Sequence, residues 1–142
     1  MKEKKARVVY LDVEGVLYTG GCWHISGQVL KNLKMLVEGS GGVVVISNSY
    51  RCGDWNALRS RLDQQGVPSF IGCTPSAVED KARSILEDMT RRGDIEFVVI
   101  DDSDLDIPHL IKCDPVRGLT KSVAVEAIAE FARQDSLDAQ EQ

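Results

Sequence analysis

The chain has 142 residues, 43% of them hydrophobic and 27% charged, with 17 basic against 22 acidic side chains and a net charge of −5. That length fits one domain able to bury about two thirds of its unfolded surface, with the composition of an ordinary soluble globule. The acidic balance argues against a general nucleic-acid surface; Arg51, Arg59, Arg61, Arg83, Arg91 and Arg92 read as solvated helix surface, with a local basic patch as the alternative.

The first element is Val8-Val9-Tyr10-Leu11, an apolar run that reads as a strand buried on both faces and so belongs to a parallel sheet. It ends in Asp12-Val13-Glu14-Gly15, two carboxylates followed by a glycine that lets the backbone turn. Ligands of open α/β sheets bind outside the carboxyl ends of the strands, and carboxylates crowded there need a metal, a shared proton or a cation. Tyr18-Thr19-Gly20-Gly21-Cys22-Trp23 reads as a glycine turn with aromatic flanks, a small hairpin flap. A helix over 27–37 places Val29, Leu33 and Leu36 on one face, with Gly39 as its stop.

The second strand, Val43-Val44-Val45-Ile46, ends in Ser47-Asn48-Ser49. Trp55, Leu58 and Leu62 make the stripe of a helix closing near Gly66, and 67–71 reads as a short strand. Ser76-Ala77-Val78-Glu79 is a capping box for a helix lined by Val78, Ala82, Ile85 and Met89. A further strand over 96–100 ends in Asp101-Asp102-Ser103-Asp104-Leu105-Asp106, and 109–113 is a short fifth strand. Thr120 caps a last helix burying Val123, Ala127, Ile128 and Phe131. One domain over 1–133 is expected, with a frayed polar tail over 134–142. Alternating strands and helices define an α/β fold, a doubly wound, Rossmann-like, mostly parallel sheet.

Cys22, Cys52, Cys73 and Cys113 form no C-x-x-C pair and suggest neither a zinc site nor a redox dithiol. The N-terminal residues run straight into the first strand, and no apolar stretch approaches a membrane span. Reduced thiols in a cytoplasm are therefore the expectation.

Three buried strands each stop on groups able to touch phosphate or metal and, if parallel and adjacent, converge on one crevice. Asp12-x-Glu14-Gly15-Val16, strand-end Ser47-Asn48, a helix lysine at Lys81 and Asp101-Asp102 occur in the order seen in haloacid dehalogenase-like (HAD) hydrolases, which the chain resembles over almost its whole length. Ile46-Ser47-Asn48-Ser49-Tyr50-Arg51 with Trp55, and Asp114-Pro115-Val116-Arg117-Gly118-Leu119-Thr120, are similar to small HAD domains in or related to bacterial RNA-repair proteins. The resemblance implies that Asp12 is a nucleophile forming an aspartyl-phosphate. Glu14 takes the general acid/base position. Asp12, the Glu14 carbonyl and Asp102 are the implied Mg²⁺ ligands, with Asp101 and Asp106 as further ligands or orienting groups. Ser47, with Asn48, would bind the phosphoryl oxygens, Ser49 being a competing contact; Lys81 would neutralise the charge shared by Asp12 and substrate, with Arg83 as its substitute.

Asp104 reads as solvated, and His24 and His109 carry no assigned role. Trp23 and Tyr50 read as half-buried packing, with stacking on a base or sugar as the alternative. Phosphatases of the family usually carry Asp where this chain has Glu14, and the added carbon moves the carboxylate by roughly 1.5 Å. Since a misplacement of about 1 Å can cost ~10²-fold in rate, three readings stay open: the flap repositions Glu14, the enzyme is slow, or catalysis is vestigial.

The 12–47 and 47–81 intervals are filled by sheet and helix and leave no room for a cap domain. An open cleft favours a phosphate on a large substrate, such as a nucleic-acid end or a phosphoprotein, unless a second subunit of a homo-oligomer supplies the lid. The leading expectation is a capless, Mg²⁺-dependent phosphohydrolase; the alternative is a non-catalytic phosphate- or partner-binding HAD-like domain. A receiver domain ranks last, since its acceptor Asp would stand where this chain has Ser47.

Overall fold

Each core strand alternates between two apolar layers, and this alternation organises the fold. The computed structural model describes residues 5–20, 25–47, 60, 63–66, 70–74 and 80–140. In chain order these give β1 (Ala6–Leu11), α1 (Gly27–Ser40), β2 (Val43–Ile46), β3 (Phe70–Cys73), α2 (Lys81–Arg92), β4 (Ile95–Asp101), β5 (Leu110–Lys112) and α3 (Lys121–Gln140). The five strands form one parallel sheet ordered β3-β2-β1-β4-β5. Val9, Leu11, Val44, Ile46, Val98 and Ile100 point to a layer built with α1 and α3. Val8, Tyr10, Val45 and Val99 point the other way, to a layer that includes Ile85 of α2 with Ala82 and Met89 beside it. A strand exposes alternate residues to opposite faces, so a sheet covered on both sides needs apolar residues at every position, as the valine-rich runs supply. The fold is the expected doubly wound α/β sheet, and no separate cap is present among the described residues.

Several boundaries differ from the sequence reading. Gly39 does not stop α1, which runs to Ser40 and is capped by Gly41 in the left-handed region at φ 71°. A Cβ at Gly39 would lie 2.7 Å from Ile128 Cδ1, so this glycine serves the close approach of α1 and α3 instead. Helix α2 takes Asp80 as its N-cap, the carboxylate accepting from Arg83 N–H at 3.0 Å. The capping box at 76–79 lies outside the described residues, as do Gly21 to Trp23 of the flap and Asn48 to Trp55 after β2. So does most of the helix expected before Gly66, although Gly66 itself has φ 87°. Strand β3 begins at Phe70, and β5 starts at Leu110, because His109 adopts φ 61° and breaks the extended run. The Thr120 cap is as expected, its Oγ1 accepting from Val123 N–H at 3.2 Å.

The tail expected to fray from Gln134 is instead helix through Gln140. Its anchor is Gln134, buried against β4. The Gln134 side chain accepts from Phe97 N–H at 3.2 Å and donates to Phe97 C=O at 2.8 Å. Strand β5 pairs β4 only over Val99, Ile100 and Asp101, so the edge groups of Phe97 would otherwise lack a ladder partner. Arg7 adds a second tie, donating to Glu96 at 2.9 Å and Ser40 C=O at 2.8 Å and pairing with Asp135, its guanidinium 5.2 Å from the Phe131 ring centre. A polar run thus folds as helix because its polar groups complete a sheet edge.

Gln134→Ala should lower stability by about 1–3 kcal/mol, the cost of leaving buried backbone groups unpaired. Ser136→Ala, exposed two residues on, should stay within ~0.5 kcal/mol of wild type. Urea unfolding midpoints of the two variants check this, and equal midpoints would return the segment to an unanchored tail.

Candidate active site

The strand order reverses direction between β1 and β4, where the crevice of a doubly wound sheet opens. Asp12 follows β1 directly, Asp101 ends β4, and Leu11 pairs with Ile100, so the two carboxylates stand side by side. The alternation that builds the core also aims the site. Asp12 continues the row of Val8 and Tyr10, Asp101 that of Val99, and Ser47 that of Val45, all on the face covered by α2. The ladder extends past the strand ends to hold them: Asp12 N–H donates to Ile100 C=O at 3.1 Å, Ser47 N–H to Leu11 C=O at 2.9 Å, and Cys113 N–H to Asp101 C=O at 2.8 Å.

Lys81, first residue of α2, descends onto this row. Its ammonium lies 3.0 Å from Asp12 Oδ1 and pairs also with Asp101 Oδ2, with its side chain only 10% exposed. Ligand atoms of Asp12, Asp101 and Asp102 lie within 4.8 Å of one another. Burial pushes the Asp12 carboxyl up to about 7, against the pull of Lys81 and with the help of Asp101. Burial and the neighbouring Asp101 also raise Asp102. Asp12 is further held by Val13 N–H, which donates to its Oδ1 at 2.9 Å, and Asp101 by Ser103 N–H at 2.9 Å.

Gly15 shows how tightly the loop after β1 closes over these acids. It sits at φ 78°, and a Cβ there would lie 2.3 Å from Asp102 Oδ2. Gly15 N–H donates to Tyr18 C=O at 2.7 Å, and Leu17 and Tyr18 N–H both donate to Val13 C=O, making 13–18 a compact turn. Glu14 stands exposed on this turn, with no hydrogen bond or ion pair to its carboxylate among the described residues. Ser47 is fully buried, and its Oγ has no hydrogen-bond partner among the described residues.

The donors fit a hard divalent cation. Three clustered carboxylates face one ammonium, leaving up to two negative charges to be balanced, and all three offer oxygen. The raised pKa of Asp12 and of Asp102 is the response expected of buried acids that also feel the charge of Asp101.

Asp12, Ser47, Lys81, Asp101 and Asp102 thus gather in one crevice, and Glu14 is exposed on the turn that follows Asp12. Asn48 and Ser49 lie outside the described residues. Asp106 is exposed and outside the carboxylate cluster. Asp104 pairs with Lys112 at 3.0 Å on the surface, and Arg83 pairs outward with Glu87 at 3.2 Å, so the cation that meets the acids is that of Lys81 and not that of Arg83. His109 binds Glu130 through Nδ1 at 2.7 Å and packs edge-on against Phe97.

Sequence reading missed three participants. Thr74 is buried just beyond β3, its N–H donating to Ile46 C=O at 2.9 Å, next in line to Ser47. Cys113 is buried near the acids; burial and the fields of Asp101, Asp102 and Asp12 push its thiol up to about 12, which keeps it an inert neutral group. Gly118 sits at φ 64° with no space for a Cβ, which would lie 2.4 Å from Val16 C=O, so the 114–120 loop packs directly on the turn that carries Glu14. Position beyond a strand could have singled out Thr74; Gly118 stood only within the 114–120 motif, and nothing local marks Cys113.

A model described as the HAD domain in Swiss Army Knife RNA repair proteins matches residues 8–124, and the chain belongs to that family. Among solved structures it is similar to a HAD superfamily (subfamily III A) hydrolase from Legionella pneumophila, with 18% sequence identity, TM-score 0.52, and coverage of 93% of this chain and 87% of that one. That likeness is one of fold. No curated protein matches the chain.

Asp12 carries a consequence for stability. An acid whose folded pKa lies above its unfolded value costs stability as pH rises from that unfolded value, and the cost is complete above the folded one. The window here runs from about 4 to about 7. In chelator-treated protein, Asp12→Asn should therefore be more stable than wild type at pH 8, by on the order of 4 kcal/mol, and close to wild type at pH 4. Thermal melts at both pH values test this; a variant less stable at pH 8 would contradict the burial argument.

Proposed function

We propose that this domain is a Mg²⁺-dependent phosphohydrolase that transfers a phosphoryl group to Asp12 and then to water. The observation that carries this reading is the Lys81 ammonium held between Asp12 and Asp101 beside a third carboxylate. Asp12, Asp102, the Glu14 carbonyl and Asp101 would hold Mg²⁺, which when bound neutralises charge on the phosphoryl oxygens.

Asp12 attacks phosphorus in line, forming a new P–O bond as the bond to the leaving oxygen breaks. Glu14 gives its proton to that leaving oxygen. In the second step Glu14 takes a proton from water as the water oxygen attacks phosphorus, releasing phosphate and restoring the Asp12 carboxylate. Ser47 Oγ–H donates to a phosphoryl oxygen, a role supported by its burial without a partner among the described residues. Lys81 holds Asp12 oriented and offsets the negative charge shared by nucleophile and substrate. Asn48 is proposed as a second phosphoryl contact.

The exposed Glu14 and the absence of a cap among the described residues favour a phosphate protruding from a large substrate, either a nucleic-acid end or a phosphoprotein. The description of the family as belonging to RNA repair proteins supports the first. Where such a domain works in the cell is expected to be the cytoplasm; no described helix is long and apolar enough to cross a membrane. A homo-oligomer would add a lid from a second subunit. One observation favours a second reading, a non-catalytic phosphate-binding domain: the acid/base position is a glutamate whose carboxylate has no orienting partner among the described residues.

Hydrolysis of an aryl phosphate should require Mg²⁺ and fall to background in Asp12→Asn. Titration calorimetry should give one Mg²⁺ site, lost in Asp102→Ala; retained turnover in the first variant, or retained binding in the second, would overturn these assignments. Glu14→Asp should keep or raise turnover and Glu14→Gln should depress it, most on an alkyl phosphate whose leaving group needs the proton. Equal alkyl rates for wild type and Glu14→Gln would remove the acid/base role. Phosphate binding without any turnover above the Asp12→Asn background would favour the second reading.

A further inference from the structure

Helix α1 buries a polar residue, Asn32, on its apolar face among Val29, Leu33 and Leu36, where the apolar stripe calls for no carboxamide. Burying an amide is unfavourable unless its groups are paired, so its partners indicate what it is for. Asn32 Nδ2 donates to Leu119 C=O at 3.0 Å, and Asn32 Oδ1 accepts from Gln28 Nε2 at 3.3 Å, which fixes which end of the amide points inward. The same Leu119 residue, fully buried, donates its N–H to Val16 C=O at 3.0 Å. One residue earlier, Gly118 meets Val16 C=O so closely that a Cβ would not fit. Gly20 N–H reaches Pro115 C=O at 3.4 Å, a second link between the two loops.

We infer that Asn32 is a positioning residue for the turn after β1: through Leu119 it sets the height of Val16, and with it the 13–18 turn on which Gly15 lies against Asp102 and which carries Glu14. The inference rests on the phosphohydrolase reading for its kinetic part alone. Glu14 has no side-chain partner of its own among the described residues, so its placement depends on its backbone. That backbone is fixed from below by the Leu119 peptide, and the Leu119 peptide is fixed by Asn32. Val16, Leu17 and Leu119 supply apolar packing around the clamp, but packing alone sets no direction along the Leu119 carbonyl. In Asn32→Leu the side chain keeps its branching and number of heavy atoms while the Leu119 carbonyl loses its donor.

The test uses the full chain as wild type, Asn32→Leu and Asn32→Ser, whose hydroxyl is too short to span the 3.0 Å contact from the same backbone. Asn32→Ser carries the test should the leucine variant not fold. Hydrogen–deuterium exchange with chelator present should show amides over 13–20 and 114–120 exchanging about tenfold faster or more in the variants, with the amides of β1 and β4 unchanged. Turnover should fall at least about tenfold on an alkyl phosphate and less on an aryl phosphate, with KM within twofold for both, because displacement of Glu14 weakens leaving-group protonation first. Unchanged exchange in the two loops overturns the inference. So does a uniform rise in exchange with equal losses on both substrates, the mark of general destabilisation. Loop-selective exchange in a chain whose wild type hydrolyses neither phosphate supports the positioning role and removes the phosphohydrolase reading, so the two failures are distinguishable.

Discussion

The ammonium of Lys81, set between Asp12 and Asp101, is the interaction on which the rest of the site depends. Two strands ending on buried acids at adjacent positions would otherwise bring like charges together in a medium less polarisable than water, where repulsion is strong. One cation relieves part of that repulsion and ties α2 to the carboxyl edge of the sheet. It does not relieve all of it, and the carboxyl of Asp12 remains far more easily protonated than a free one. A group of acids left short of positive charge is poorly arranged for stability and well arranged for taking a cation or a transferring phosphoryl group.

The two faces of the sheet divide the work. The face under α2 carries Asp12, Ser47 and Asp101 in continuation of apolar rows, and a buried network deeper on the same face locks that helix in place. Tyr10 O–H donates to Asp88 at 2.6 Å, Arg92 Nε donates to the same carboxylate oxygen at 2.6 Å, and the phenol is held well above its usual range by burial and by Asp88. Lys81 therefore sits on a helix anchored near its far end, so its approach to the acids is set by rigid structure rather than by a loop. The opposite face carries the larger apolar core with α1 and α3, and from it Asn32 and the 114–120 loop reach the turn bearing Glu14. The proposed nucleophile, Asp12, is placed by the sheet, while the proposed acid/base group is placed by a turn that rests on the 114–120 loop. These are different mechanical supports, and the second is the one in which a longer side chain at position 14 can be accommodated by a shift of backbone.

Much of this is legible in the amino-acid sequence. Valine-rich runs buried on both faces dictate a parallel sheet with helices on each side, because only that arrangement covers every position of each strand. Acidic or hydroxyl residues directly after those runs dictate a polar crevice at the carboxyl edge, since strand alternation carries a side-chain direction one or two residues past the last pairing. Asp12, Ser47, Asp101 and Asp102 could be named on that ground, and Lys81 by its place in the motif order. Local signals failed where a partner far along the chain decides the outcome. Gly39 reads as a helix stop but is a contact with Ile128, and Gln134 reads as the start of a tail but completes the edge of β4.

The sequence by itself therefore determined the layers, the sheet and the row of acids, since all follow from periodicities of two and of 3.6 residues and from the residue at each strand end. Only the tertiary structure decided between Lys81 and Arg83 as the cation beside those acids, why glycine is required at 15 and 118, and what Asn32 holds. Each of these is a contact between segments far apart in the chain, through close approach or a single hydrogen bond, and neither leaves a periodic trace in the order of residues.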